Sequence, residues 1–149
     1  MSWIRKRKKY RKPRKLYDKK RIEEENGLLK KYGLKNKKEI WKAEAKISRI
    51  RNQAKKLITA GMEEQKKLFE KLNKLGFKVN KIADVLALNK EDWLKRRLQS
   101  IIIVGKKLKP KQARQLIVHR HITINEKIVN VPSYVVEVDE ESKIEIRVR

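Results

Sequence analysis

The residues best suited to chemistry in this chain are cations interleaved with aromatic rings at the N-terminus. Twelve of the first 21 residues are Lys or Arg, and Asp18 is the one acid among them. Trp3, Tyr10 and Tyr17 follow one another at intervals of seven residues. Aromatic rings stack on bases or ribose while cations neutralise phosphates, so the pattern indicates contact with RNA. We expect residues 1–17 to order only on a partner, because they hold too few apolar side chains to fold alone.

The sequence contains no recognisable catalytic motif. The five glycines are dispersed, which excludes a glycine-rich phosphate loop. Glu63, Glu64 and the acids at 139–141 fall on predicted exposed surface, where solvated charge is expected. His119 and His121 suit packing or a hydrogen bond to phosphate or ribose better than a metal site, which needs further ligands. We therefore predict a protein that is not an enzyme and that uses no cofactor and no metal.

The composition indicates a polyanionic partner. The 149 residues include 43 Lys and Arg but only 18 Asp and Glu, a formal net charge of +25. Such a charge opposes folding by self-repulsion unless a polyanion compensates it. Leu, Ile, Val and Phe number 42, enough for a modest core. Cysteine is absent, which excludes disulfides and Cys-ligated metals. The apolar runs are too short to span a bilayer, and the polar, basic start is not expected to be a secretory signal.

Helical spacing of apolar residues predicts a helical first half. The predicted helices cover residues 18–33, 36–58, 62–75 and 80–86. Asp18 is a potential N-cap, and Gly33 and Gly76 are suited to end helices in left-handed backbone. Trp41 is expected to pack in the core, with an RNA contact as the alternative.

The second half begins with one long predicted helix over residues 89–102, whose polar face is expected to carry Lys95, Arg96, Arg97 and Gln99. A basic loop at 105–109 then leads to Pro110, which suits the first position of a helix that runs to 119. On this last helix Lys111, Arg114 and Gln115 are predicted to lie away from the apolar side chains of Ala113, Leu116 and Ile117.

After residue 119 the apolar period changes from helical to alternating. Strands are predicted on both sides of the turn at 125–126, at 135–138 and at 144–148, with a turn at 139–142. The predicted fold class is α+β. It comprises a basic extended tail (1–17), a helical domain (18–88), and a helix-turn-helix plus β-hairpin module with short antiparallel C-terminal strands (89–149).

Residues 109–119, with 122–125 and 131–134, closely resemble the RNA-binding module named after small-subunit ribosomal protein four. They read KPKQARQLIVH, ITIN and VPSY. Residues 29–45 resemble the N-terminal half of the archaeal and eukaryotic form of that ribosomal family, and 84–88 with 95–99 resemble the start of its module. The resemblance covers most of residues 5–137. The Cys-ligated zinc knuckle common in bacterial relatives is missing, as expected for the archaeal type.

The resemblance implies a structural, non-catalytic protein of the small ribosomal subunit in the cytoplasm. Family members bind small-subunit ribosomal RNA at a multi-helix junction early in assembly. They also contact small-subunit protein five near the channel by which messenger RNA enters. We expect as partners small-subunit ribosomal RNA, protein five, other subunit proteins and messenger RNA at that channel, and no membrane. The residues predicted to contact ribosomal RNA are Arg5, Lys8, Tyr10, Arg11, Arg14, Lys42, Arg49, Arg96, Arg97, Lys107, Lys109, Lys111, Gln112, Arg114, Gln115, His119, Arg120 and His121.

Three positions depart from the family pattern. Glu126 stands where the hairpin usually has Gly, and Arg120 stands where a Gly often lies between the two His residues. The second helix of the module usually begins with Ser or Thr, whereas here Lys109 precedes Pro110. Left-handed backbone at 120 and 126 is therefore more costly, and Glu126 is expected to point away from the RNA surface.

Two other classes of protein share these features. One is a free RNA- or DNA-binding chaperone, and the other is an RNA-modifying system that uses the module as an accessory. A ribosomal protein co-sediments with the small subunit at one copy in high salt, which distinguishes it from a chaperone. An RNA-modifying enzyme needs a catalytic domain. The basic tail itself has an alternative role as a solubilising or nuclear-localisation-like segment.

Overall fold

The computed structural model describes residues 9–59 and 61–147, and in these ranges the chain is α+β, as predicted. The helices are α1 (Lys19–Tyr32), α2 (Lys37–Leu57), α3 (Met62–Lys74), α4 (Ile82–Ala87), α5 (Lys90–Lys95), α6 (Leu98–Lys106), α7 (Pro110–Val118) and α8 (Val138–Glu141). The strands are β1 (Ile122–Ile124), β2 (Lys127–Ile128) and β3 (Ile144–Ile146). Within the described ranges, none of the helices has the length and apolar composition needed to cross a membrane.

The helices of the first half begin and end at residues that favour these positions. Asp18 caps α1 by accepting a hydrogen bond from the backbone N–H of Arg21 at 3.4 Å. Gly33 ends α1 in left-handed backbone, with φ of 60°. Asn36 caps α2 by accepting from the N–H of Lys38 at 3.0 Å. The four helices predicted in this half are confirmed, and each observed end lies within two residues of the predicted one.

The single helix predicted over residues 89–102 is wrong, because two helices, α5 and α6, take its place. Between them the backbone pairs with a distant segment: the N–H of Leu98 donates to the carbonyl of Tyr134 at 2.7 Å, and the N–H of Val136 donates to the carbonyl of Arg96 at 3.1 Å. Backbone groups committed to this bridge are lost to the helical ladder, so the helix is interrupted.

A small antiparallel sheet has β1 as its central strand, in the order β2-β1-β3. Thr123 of β1 pairs with Ile128 on one side and with Glu145 on the other. Asn125 and Glu126 form the turn between β1 and β2 with φ of 49° and 66°, which confirms the hairpin and its left-handed backbone. The strand predicted at 135–138 is reduced to an isolated antiparallel bridge between Val135 and Arg97, because Val138 already begins the short helix α8.

Three apolar clusters hold these elements together. The module cluster consists of Leu98, Ile102, Ala113, Ile117, Ile122, Ile124 and Val136. A second joins α2, α3 and α4 through Ala54, Leu68, Leu72, Phe77, Val79 and Val85. The third joins α1, α2 and α5 through Leu28, Tyr32, Ile40, Ala43 and Leu94. Trp93 of α5 packs against the second and the third cluster, so α5 connects the helical half to the module.

Candidate nucleic-acid interface

The outer side of α7 presents cations and amides from a fixed helix. Lys111, Gln112 and Gln115 are exposed, while Ala113 and Ile117 on the inner side are buried in the module cluster. The exposed cations Lys107 and Lys109 precede the helix, and Arg120 follows it. We call this region, with His119 and His121, the α7 surface. Because packing of the inner side fixes the helix, the outer groups are positioned in advance for phosphates and base edges.

Two depressions flank Gln112 on the α7 surface. One, of about 410 Å³, is lined by Leu108, Gln112, Gln115, Leu116, His119 and His121. The other, of about 540 Å³, lies between the end of α1 and the start of α7, and Lys109 and Lys111 line it. The structure thus brings six of the predicted contact residues into two adjacent concave sites.

The two histidines stack on each other, with ring centroids 6.4 Å apart and planes inclined by 13°. His121 is oriented by its Nδ1, which lies 3.1 Å from the carbonyl oxygen of Arg147. Arg120 between them has φ of 64°, which confirms the left-handed backbone predicted there. No group of three or more His, Cys, Asp or Glu side chains able to hold a metal ion occurs in residues 9–59 and 61–147.

A second cationic surface lies on α2. Lys42, Lys46 and Arg49 are exposed and, by their spacing, share one side of the helix. Lys42 and Lys46 line a cleft of about 440 Å³ between α2 and the module, where Pro132 is among the opposing residues. We call these three cations the α2 surface. Lys46 was not among the predicted contact residues, although its four-residue spacing from Lys42 is a signal that could have identified it.

Arg97 and Arg114 line the same cleft from the module, but one carboxylate holds both guanidinium groups. Arg97 Nη2 donates to Glu39 Oε2 at 2.5 Å, and Arg114 Nη2 donates to Glu39 Oε1 at 3.1 Å. The side chain of Arg97 is only 4% exposed and that of Arg114 is 24% exposed. The prediction that Arg114 lies on the free outer face of its helix is therefore wrong, because the side chain is directed at α2.

Gln99 also binds Arg114, next to the contact between Glu39 and the two arginines. Gln99 is only 1% exposed, so the prediction that it lies on a polar outer face is also wrong. Its Nε2 donates to the carbonyls of Gly33 and Pro110, both at 3.0 Å, and its Oε1 accepts from Arg114 Nη1 at 3.2 Å. The amide satisfies backbone carbonyls at the end of α1 and the start of α7. Glu39, Arg97, Gln99 and Arg114 together are called the clasp below.

The Glu39 carboxylate is the electrostatic centre of the clasp. Burial raises its pKa, but the hydrogen bonds and charges of Arg97 and Arg114 outweigh burial and hold the pKa below the ordinary value. Glu39 is therefore ionised at neutral pH. One carboxylate facing two guanidinium groups leaves one net positive charge beside the cleft.

Arg96 is also held by partners within the chain. Its Nη2 donates to the carbonyl of Val136 at 2.9 Å, and its guanidinium forms an ion pair with Glu141. It also lies against Gly76, where a Cβ would collide with the guanidinium group. Among the predicted contact arginines of the module, Arg96, Arg97 and Arg114 thus make intramolecular contacts, whereas Arg120 is exposed.

The described part of the tail is attached to α2 through Tyr10. The Tyr10 ring lies 6.0 Å from the Trp41 ring, centroid to centroid, at an angle of 35°. Trp41 is half-buried and donates its Nε1 to Glu25 at 2.9 Å. Of the remaining tail residues predicted to contact RNA, Arg11 and Arg14 are exposed, and Arg5 and Lys8 lie outside the described residues.

Glu25 is buried although it is charged, with 3% of its side chain exposed. Arg21 Nη1 lies 2.7 Å from its Oε1, and Lys37 Nζ lies 3.6 Å from its Oε2. Burial raises the pKa of Glu25, but the hydrogen bonds from Trp41 and Arg21 and the nearby positive charges produce a net lowering. The sequence gives no sign of this role, since Glu25 is the last of three consecutive glutamates and only the fold selects which of them is buried.

A known domain family matches the part of the chain that carries the α7 surface. A family model described as the S4 domain matches residues 96–142, which include α6, α7 and the β-hairpin. Residues 96–142 therefore form an S4 domain.

Relatives that match over most of the chain identify the family more closely. Small ribosomal subunit protein uS4 of Methanococcus aeolicus is 48% identical over 132 residues, covering 83% of this chain and 75% of the relative. The proteins of the same name from Methanosphaera stadtmanae and Thermoplasma volcanium are 44% and 46% identical, covering 91% and 92% of this chain and 82% and 74% of the relatives. The chain belongs to the uS4 family of small ribosomal subunit proteins, and the resemblance to the archaeal type is confirmed.

Proposed function

We propose that this chain is a structural constituent of the small ribosomal subunit and binds small-subunit ribosomal RNA. The observation that carries the proposal is the α7 surface, a helix fixed by its buried side whose outer side presents Lys111, Gln112 and Gln115. No residue of α7 is acidic, so nothing on this helix repels a phosphate. Membership of the uS4 family supports the ribosomal role.

The α7 surface and the α2 surface act together in this proposal. A junction of RNA helices brings phosphates close together, and fixed cations stabilise the arrangement that fits them. The clasp holds α2 and α7 at one relative position, since Glu39 belongs to α2 and Arg114 to α7. Arg96, Arg97 and Arg114 contribute through their positions and their remaining positive charge rather than as free side chains.

The tail adds a third region of contact through Arg5, Lys8, Arg11 and Arg14, and Tyr10 fixes its path by packing on Trp41. Residues 1–17, 18–88 and 89–149 are proposed as tail, helical domain and S4 module, with α5 packed on the helical domain. The tail extends along RNA beyond the two fixed surfaces, because a chain dense in cations follows a polyanion.

The finer assignments rest on the family resemblance. They are binding at a multi-helix junction early in assembly, contact with small-subunit protein five and other subunit proteins, contact with messenger RNA where it enters, a cytoplasmic location and no catalytic activity.

Binding to a transcript of the small-subunit junction tests the proposal. The double variant Lys109→Ala, Lys111→Ala removes two cations from the α7 surface, and Lys66→Ala, Lys67→Ala removes two exposed cations from α3 as a matched control. At about 1 kcal/mol for each positioned contact, the first should weaken binding about 30-fold and the second only slightly. Equal losses in the two variants would show that the module supplies only bulk charge.

Sedimentation distinguishes the ribosomal role from that of a chaperone. One copy of the chain should remain with the small subunit after a high-salt wash. Release into the supernatant, or spreading along unrelated RNA or DNA, would favour the free nucleic-acid chaperone instead.

A further inference from the structure

Tyr17 presents an aromatic ring that the described part of the chain leaves uncovered. It is 92% exposed and is the one aromatic residue among the exposed large apolar side chains of residues 9–59 and 61–147. Other rings in these ranges have partners: Tyr10 packs on Trp41, and Phe77 stacks on Trp93. Tyr32 and Tyr134 donate hydrogen bonds to carboxylates, and Phe69 packs against the second cluster.

The backbone that carries Tyr17 is fixed on both sides. Arg21 Nη2 donates to the carbonyl of Lys15 at 2.9 Å and to that of Leu16 at 3.0 Å. The same guanidinium is held by the buried Glu25 through Nη1. Directly after Tyr17, Asp18 caps α1. Residues 15–17, which were expected to order only on a partner, are thus held against α1 by hydrogen bonds, so the ring loses little freedom when a partner binds.

The surroundings of Tyr17 favour a polyanion that carries planar groups. Arg14, Lys15, Lys19 and Lys20 are exposed around it, and the carboxylate of Asp18 is occupied as the helix cap. After Asp18, the next exposed acids along the sequence are Glu23 and Glu24, later in α1. A ring flanked by cations stacks on a nucleobase while its neighbours bind the adjoining phosphates.

We propose that Tyr17 is a stacking residue for an unpaired base of the RNA that the chain binds, and that Tyr10 instead anchors the tail to α2. The inference rests on the proposed function, because it requires that the chain binds ribosomal RNA. The two tyrosines thus have different roles, although each lies among cations in the sequence.

The test compares Tyr17→Ala and Tyr17→Phe with Met62→Ala, which removes another exposed apolar side chain far along the sequence. Each variant is bound to the same small-subunit junction transcript over a range of salt concentrations. Tyr17→Ala should weaken binding about 10-fold, which is within the range found when a stacking residue is replaced by alanine. Tyr17→Phe keeps the ring and should bind within about twofold of wild type. The dependence on salt should not change in Tyr17→Ala, because no phosphate contact is lost.

Zero-length ultraviolet crosslinking with mass spectrometry gives a second readout. Tyr17 of the wild-type complex should crosslink to a nucleotide that chemical probing finds unpaired. The inference is overturned if Tyr17→Ala binds like wild type, if Tyr17→Phe is as weak as Tyr17→Ala, or if the crosslink falls on a protein in assembled subunits. If the wild-type chain binds the junction transcript no better than unrelated RNA, the proposed function itself fails. If the wild-type chain prefers the transcript but the Tyr17 variants do not behave as expected, only the inference about Tyr17 fails.

Discussion

Glu39 Oε2 in α2 lies 2.5 Å from Nη2 of Arg97, a residue that follows α5 and is almost wholly buried. The other oxygen of the same carboxylate binds Arg114 of α7. A single side chain of the helical half thus holds two arginines of the module. The relative position of the α2 and α7 surfaces therefore depends on Glu39.

Replacement of Glu39 should strongly destabilise the chain. Glu39→Ala leaves the guanidinium of Arg97 buried without a partner, and breaking a buried ion pair in this way costs about 3 kcal/mol. Lys38→Ala, at an exposed position in the same turn of α2, is the control and should change stability by less than about 0.5 kcal/mol. Urea denaturation followed by circular dichroism measures both. A loss below about 1 kcal/mol in Glu39→Ala would contradict the role of the clasp.

Stability should decrease in acid because the pKa values of Glu25 and Glu39 are lowered in the folded chain. The unfolded chain takes up protons near the ordinary glutamate pKa of 4.5, whereas the folded chain does so only at lower pH. The contribution of these carboxylates is therefore complete above that value and is lost as the pH falls through the folded pKa. The free energy of unfolding, measured with urea between about pH 3 and pH 6, should show this decline. The decline should be shallower in Glu39→Gln than in the wild type. If the two proteins give parallel curves, Glu39 makes no contribution to the pH dependence.

Gly33 should not tolerate a side chain. Its φ is 60°, and a Cβ there would lie 2.5 Å from Pro110 Cβ and 2.7 Å from Gln99 Nε2. We expect Gly33→Ala to lower stability by at least about 2 kcal/mol, from left-handed strain and from disturbance of the clasp. Gly27→Ala is the matched control, since Gly27 lies within α1 and a Cβ there meets nothing within 4 Å. It should raise stability by about 1 kcal/mol. Thermal unfolding measures the stability of both variants. Similar changes in the two would contradict the prediction that Gly33 cannot accept a side chain.

A glycine at the hairpin turn should stabilise the sheet. Glu126 is exposed and has φ of 66°, a conformation that strains residues with a Cβ. Glu126→Gly should increase the free energy of unfolding by up to about 1 kcal/mol, whereas Glu126→Ala keeps the strain and should give no gain. Guanidinium denaturation of the two variants measures the difference. A gain in Glu126→Ala equal to that in Glu126→Gly would attribute the effect to charge instead.

Binding to ribosomal RNA should depend steeply on salt. If about ten phosphates are neutralised, the logarithm of the affinity should fall against the logarithm of the salt concentration with a slope of about −5 to −10. Filter binding to the junction transcript at several salt concentrations measures the slope. A slope near zero would refute the electrostatic mechanism.

Local features of the fold could be predicted because each depends on near neighbours in the sequence. The cap at Asp18, the left-handed end at Gly33 and the hairpin at residues 125–126 all form from contacts within a few residues. The exposure of Lys111 and Gln115 follows in the same way from the helical period of their buried neighbours.

Interruption of a helix by a distant segment could not be predicted from periodicity. Apolar residues continue at helical spacing through 89–102, yet the backbone of Leu98 bonds to Tyr134. No feature of the sequence near residue 98 indicates that partner. The same limitation applies to Val138, whose apolar neighbours suggested a strand where α8 begins.

The charge, the four helices of the first half, the hairpin at residues 125–126 and the exposure of Lys111 and Gln115 follow from composition and from near neighbours in the sequence. Which cations remain free depends on contacts between distant parts of the chain. Arg97 and Arg114 look like surface arginines in the sequence, but Glu39, 58 and 75 residues away, binds both. Tyr10 and Tyr17 look alike, but one packs on Trp41 and the other is uncovered. The physical reason is that burial and ion pairing depend on which side chains meet in space, and helical spacing only shows which side of a helix each residue occupies.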